Sequence, residues 1–221
     1  NLGLMLRMPC PATDCREQTA SWPTTLFIMA VSGFVLWELT TEWPAVETIF
    51  VAPPARLAAW IGLESWTGLA TGLWALLLVP LVLWTTVALA TRLAGDPRPV
   101  PLLWRQMALP TSLIVAAGHM AKGVAKFVSW VVYLPYAVDD PRGVETVARI
   151  GAKTLEQPQP LFTIAVSGSL GAVLVVAGFV LACRETRLAN SPVHRRHYLP
   201  LAMAAALALV LLGGWPLGSH G

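Results

Sequence analysis

His119, Lys122, Lys126, Ser129 and Tyr133 follow one another at offsets of three, four, three and four. That spacing places all five on one face of a helix. An imidazole, two amines, a hydroxyl and a phenol in line can pass protons, hold an anion or hydrogen-bond the carbonyls of a ring-shaped ligand. The stripe falls in an apolar segment from about Pro110 to Leu134, long enough to cross a bilayer. Two lysines and a histidine inside a span are costly unless they face protein, water or a partner. Counted from Pro110, Lys122 and Lys126 fall near the middle of that span, too deep for both to snorkel to an interface. The stripe therefore reads as a polar seam lining a quinone pocket, a proton path or an anion route. The competing reading is a pair of snorkelling lysines with a histidine bonded to a neighbouring helix. Glu38, near the outer end of the first apolar segment, is the counter-ion expected for Lys126, and Trp130 and Tyr133 can flank a ring.

Five apolar stretches position this seam, at about Thr24–Trp43, Gly68–Ala90, Pro110–Leu134, Phe162–Cys183 and Leu199–Trp215. With 56 % hydrophobic and 12 % charged residues and a mean hydropathy of +0.63, the chain has about half the charge of a soluble domain. It reads as an all-α integral membrane protein, a bundle of about five transmembrane helices, each near the roughly 20 residues a span needs. Residues 1–22 form a Cys- and Pro-containing extension, and residues 23–221 a single transmembrane domain. Gly68-Leu-Ala-Thr-Gly72 and Ser167-Gly-Ser-Leu-Gly171 have the small-residue spacing that lets helices approach closely. Pro80 interrupts the second span, with Thr85 and Thr86 available to satisfy freed backbone groups. Leu57, Trp60, Ile61 and Leu63 can lie against a membrane while Arg56 and Glu64 on either side face water, which fits a short interfacial helix or a loop packed on the bundle. A second short helix is expected near Val144–Leu155, after a turn at Asp139-Asp140-Pro141.

Charge sets the orientation. Arg7, Arg16, Arg92, Arg98, Arg105, Arg184, Arg187, Arg195 and Arg196 fall on one side of a five-helix chain, against Arg56, Arg142, Arg149 and Lys153 on the other. Nine basic groups against four put the amino terminus in the cytoplasm and the carboxyl terminus outside. The net charge of +3 reflects this asymmetry and gives no reason to invoke nucleic acid. Arg195 and Arg196 read as an anchor for anionic lipid head groups. The chain begins with Asn and shows no cleavable signal pattern, so a leader or a larger region is expected to precede it.

Membrane haem is normally held by two histidines, and only His119 lies inside a span. A self-contained haem site is not expected, and a second ligand would have to come from another subunit. Cys10, Cys15 and Cys183 all map to the reducing side, which favours thiols or metal ligation over disulfides. Cys10 and Cys15 are separated by four residues, unlike the two-residue gap of most zinc and ferredoxin sites. Iron–sulfur binding here requires further ligands from a preceding region or a partner.

The segment Leu6-Arg-Met-Pro-Cys-Pro-Ala-Thr-Asp-Cys15, running straight into a bundle with a His/Lys helix, resembles the membrane polyferredoxins that oxidise quinol to supply nitrate and nitrous-oxide reductases. That family's repeated four-cysteine runs are absent, and only Cys10-Pro11 matches its Cys-Pro pairs. The resemblance implies a subunit of a respiratory or photosynthetic electron-transfer complex in a bacterial cytoplasmic membrane, among other membrane subunits and lipids, with the seam touching a quinone or a proton path. A non-catalytic accessory or assembly subunit is the alternative. An anion transporter is third, because no inverted repeat or paired discontinuous helices stand out.

Overall fold

A computed structural model describes residues 19–40, 52–155, 158–159, 161–188 and 194–213. Among the described residues the chain is all-helical, without a strand. Helix α1 (Trp22–Thr40) opens with Pro23 in its first turn, where proline's missing N–H would be unpaired anyway. A short helix α2 (Ala52–Trp60) follows, with Leu57 and Trp60 on its exposed side and Ile61 and Leu63 exposed just beyond it. From Glu64 to Leu93 the chain is one continuous helical rod, made of a 3-10 turn, α3 (Thr67–Leu73), a π turn (Trp74–Leu78) and α4 (Val79–Leu93). The π turn sits just ahead of Pro80 because proline has no N–H to donate and its ring crowds the carbonyl four residues back. Thr85 and Thr86 bond the carbonyls of Leu81 and Val82 in their own helix, not the groups that Pro80 frees.

Helix α5 (Val100–Trp130) begins ten residues before the Pro110 boundary read from hydropathy, and Pro110 lies in its interior. Pro99 and Pro101 at its start set the first turn. A 3-10 turn (Val131–Tyr133) leads into α6 (Leu134–Asp139), and α7 (Val144–Gly151) forms within the expected Val144–Leu155 stretch. Helices α8 (Ile164–Leu188) and α9 (His194–Gly213) complete the described chain. Among the described residues four helical segments are long and apolar enough to cross a membrane: Trp22–Thr40, Glu64–Leu93, Val100–Asp139 and Ala165–Thr186. The apolar stretch of the fifth, Tyr198–Gly213, is shorter.

The contacts between helices give their directions. Ser32 and Gly33 of α1 meet Trp84 and Pro80, so α1 and α4 run antiparallel. Ala20 exchanges hydrogen bonds with Arg105 at one end of the bundle, while Glu38 faces Lys122 at the other, so α1 and α5 run parallel. Gly178 lies on Ala117 and Gly171 on Ala121, which makes α8 antiparallel to α5. Ala208 and Leu212 of α9 reach Gly118 and Gly171, so α9 runs with α5.

A polar ladder crosses the core. Trp104 Nε1 donates to the Trp84 carbonyl at 2.8 Å, fully buried Trp84 donates through its own Nε1 to Ser32 Oγ at 2.8 Å, and Ser32 donates to the Met29 carbonyl at 2.7 Å. Outside, Phe27, Leu77, Val82, Val173, Val176 and Val180 are exposed. An apolar exterior of this kind is a liability in water and is what a bilayer solvates.

The closest helix approaches occur at glycines that no short motif marked. A Cβ on Gly178 would lie 2.6 Å from Ala117 Cβ and 2.9 Å from the Leu113 carbonyl, and one on Gly33 would overlap the Pro80 ring. Gly171 of the Ser167–Gly171 stretch does pack, 3.3 Å from Ala121 Cβ, but Gly68 and Gly72 have open space. Gly33→Ala and Gly178→Ala are each expected to lower stability by about 1–3 kcal/mol, because a rigid ring and a backbone must move. Gly72→Ala should change it by less than about 0.5 kcal/mol. Denaturant unfolding in detergent, followed by circular dichroism, measures all three.

Candidate functional site: a charged cluster between α1 and α5

The parallel packing of α1 on α5 brings one carboxylate to three basic side chains. Lys122 is 2 % exposed; its Nζ donates to the backbone carbonyl of Glu38 and lies 3.5 Å from Glu38 Oε1. Lys126 Nζ lies 3.9 Å from the same oxygen, and His119 Nδ1 lies 3.2 Å from Oε2. The side chains of Lys126 and His119 are 44 % and 54 % exposed. The cluster therefore has a closed floor, Lys122, and an open side formed by an imidazole and an ammonium.

Of the two lysines Glu38 therefore partners Lys122 more closely, and Lys126, its expected partner, lies farther away. Local geometry explains why. Lys122 is one turn before Lys126 on α5 and points between the helices, where it also captures a carbonyl in the last turn of α1. Burying an ammonium is tolerable only when its protons are satisfied, and the carbonyl and carboxylate of one residue supply both acceptors. Ser129 and Tyr133 do not join. The Ser129 hydroxyl bonds the Lys126 carbonyl of its own helix at 2.9 Å. Tyr133 lies beyond the end of α5 in the 3-10 turn, which breaks the helical register. Its ring centroid is 6.3 Å from that of Tyr136, at a shallow cavity of about 340 Å³ with Asp140, Arg142 and Thr146.

Arg105 and Trp22 mark one end of the bundle, with the guanidinium 5.9 Å from the indole centroid. Lys122 is seventeen residues along α5 from Arg105, so the cluster stands about 25 Å from that end at 1.5 Å per residue.

The donor set does not suit a metal. One carboxylate and one imidazole share their space with two ammonium groups, which repel a cation, and no group of three metal-ligating side chains occurs among the described residues. Cys10, Cys15, Glu42 and Trp43 lie outside the described residues. Arg195 and Arg196 fall in the first turn of α9, and their side chains are also outside what is described. The cluster instead suits a ligand with an ionisable or carbonyl oxygen.

Two groups near the bundle ends were not legible as a pair with a role. Asp96, fully buried as a side chain, binds Arg98 through Nε at 2.9 Å and the terminal nitrogen at 2.6 Å, closing the loop between α4 and α5. Asp140 accepts from the Thr146 backbone N–H at 2.7 Å and so caps α7, completing the turn expected at Asp139-Asp140. That hydrogen bond holds the Asp140 carboxyl below its ordinary value.

Glu38→Ala should destabilise the protein by about 3 kcal/mol, because it leaves Lys122 charged and buried without its counter-ion. Glu38→Gln combined with Lys122→Met should recover most of that loss, as read by unfolding in detergent. For Asp140 the lowered folded value means that its support for α7 is complete above the unfolded carboxyl range, near pH 4. That support is lost as pH falls further, through the folded value. Amide exchange over Val144–Gly151 should therefore be flat between pH 5 and 8, apart from its intrinsic rate, and Asp140→Ala should speed it throughout that range. No protein-family model, curated protein or solved structure matches this chain.

Proposed function

We propose that this chain is a membrane subunit of a multi-subunit electron-transfer complex, and that the Glu38–His119–Lys122–Lys126 cluster is where it meets a quinone or quinol. One observation carries the reading: His119 presents one ring nitrogen to the Glu38 carboxylate, 3.2 Å away, while about half of its side chain stays exposed. A carboxylate beside Nδ1 favours the tautomer protonated there, which leaves the Nε2 lone pair for a ligand. Quinol oxidation needs such an acceptor for the hydroxyl proton, and Lys126 adds a positive group that can stabilise the developing phenolate. The exposed Phe127 and Trp130 on the same helix offer apolar surface for a ring and its tail.

In this reading the electrons pass to a redox centre of a partner subunit or of a region preceding the chain. Cys10 and Cys15 would contribute to an iron–sulfur site there only with ligands from elsewhere. The amino terminus then lies in the cytoplasm of a bacterial cell, with Arg195 and Arg196 against anionic lipid head groups.

Purification from native membranes in mild detergent, with an optical spectrum, quinone extraction and a duroquinol oxidation assay on everything that co-purifies, tests the proposal. Redox partners and bound quinone are the expected result. His119→Gln should lower kcat for duroquinol about 100-fold, and Lys126→Met should also reduce turnover. A colourless, quinone-free protein with no duroquinol activity overturns it and leaves an accessory subunit or a transporter.

A further inference from the structure

Resting on the quinol reading, we infer that Glu38 and His119 form a one-sided proton exit, which releases the protons of quinol at the end of the bundle away from Arg105. The placement of the charged groups carries this. The cluster is about 25 Å along α5 from the Arg105–Trp22 end, and that end also gathers Arg92 and Arg98 in the α4–α5 loop and Arg184 near the end of antiparallel α8. Between the two ends the core holds apolar side chains and the Trp104–Trp84–Ser32 ladder, which contains no titratable group. A proton taken up at His119, which is half exposed at the cluster, therefore faces about 25 Å of core in the direction of Arg105.

A quinol hydroxyl gives its proton to His119 Nε2, and the Nδ1 proton of the resulting imidazolium passes to Glu38 Oε2, which leaves a neutral imidazole protonated at Nε2. Glu38 then releases its proton, and the imidazole returns to the Nδ1-protonated tautomer before the next transfer. After two such transfers the ring is a quinone, and its two electrons have passed one at a time to a one-electron redox centre, iron–sulfur or haem, held by a partner subunit and reoxidised between them. Lys122 is a positioning residue: its bonds to the Glu38 carbonyl and carboxylate fix the acceptor opposite Nδ1. Among the described residues, His119, Lys122 and Lys126 of α5 face Glu38. Residues 164–183 of α8 and 199–213 of α9, packed alongside, carry no ionisable side chain other than Cys183 near the Arg105 end. Glu64, on the rod that α1 also packs against, stands beyond the cluster, about 15 Å along that rod from the turn at Trp74.

The test uses the whole complex in vesicles loaded with pyranine, with the orientation read by protease access to the amino-terminal extension. Duroquinol is the donor and ferricyanide, added outside, the acceptor, corrected for protein-free vesicles. In vesicles with the Arg105 end outward, the lumen is expected to acidify by about two protons per quinol. Turnover with all protons appearing outside would overturn the exit while leaving the quinol site intact. Absence of turnover would overturn the quinol reading and the exit with it. Glu38→Gln should lower kcat at least tenfold with KM within about threefold, and a solvent isotope effect on kcat should grow. An equal loss in KM alone would show that Glu38 binds quinol and does not move its proton.

Discussion

An ammonium group that is 2 % exposed between two helices is the constraint around which this bundle is arranged. Lys122 can be buried only if its protons find acceptors, and Glu38 supplies two of them, its carbonyl and its carboxylate. That requirement couples the end of α1 to the third quarter of α5. At the other end of both helices Ala20 donates its N–H to the Arg105 carbonyl and accepts from the Arg105 side chain, which makes a second fixed point. Two anchors about 25 Å apart leave α1 and α5 no freedom to slide. A helix pair that must be parallel then requires the rod of α3 and α4 to return between them.

Apolar packing supplies the remaining cohesion, and it works through close approach. In lipid there is little hydrophobic drive between helices, so van der Waals contact and internal hydrogen bonds carry the association. Gly33 under Pro80 and Gly178 against Ala117 provide the contact. Trp84, whose buried side chain donates to Ser32 of α1 while its backbone carbonyl accepts from Trp104 of α5, supplies a bond in each direction. The π turn before Pro80 lets this proline sit in a transmembrane rod without breaking it.

The same arrangement sets what the cluster can do. A lysine closed off by protein acts as a permanent brace, whereas a histidine half open to the exterior can exchange protons with a ligand. The carboxylate joins the two, about 25 Å along α5 from Arg105. The chemistry therefore depends on three different exposures within one group of contacting side chains, and composition alone carries none of them.

The all-α class, the apolar spans and the grouping of His119, Lys122 and Lys126 on one helix face were legible in the chain, because periodicity and the cost of charge in an apolar segment are local properties. Glu38 was legible as a counter-ion because few carboxylates fall near the spans. Which lysine it meets was not, since that depends on the rotation of α1 against α5. Tyr133 matched the helical spacing, but spacing continues only while the helix does, and α5 ends at Trp130; Ser129 is still within the helix and donates its hydroxyl to the Lys126 carbonyl. Where α5 begins was hidden by Arg105, Gln106 and the flanking prolines between Val100 and Pro110, a helix start that tertiary contacts at Arg105 stabilise. Gly68 and Gly72 had the spacing for close packing and Gly33 and Gly178 did not. Spacing states that a helix can be approached, and only the fold decides which face another helix covers.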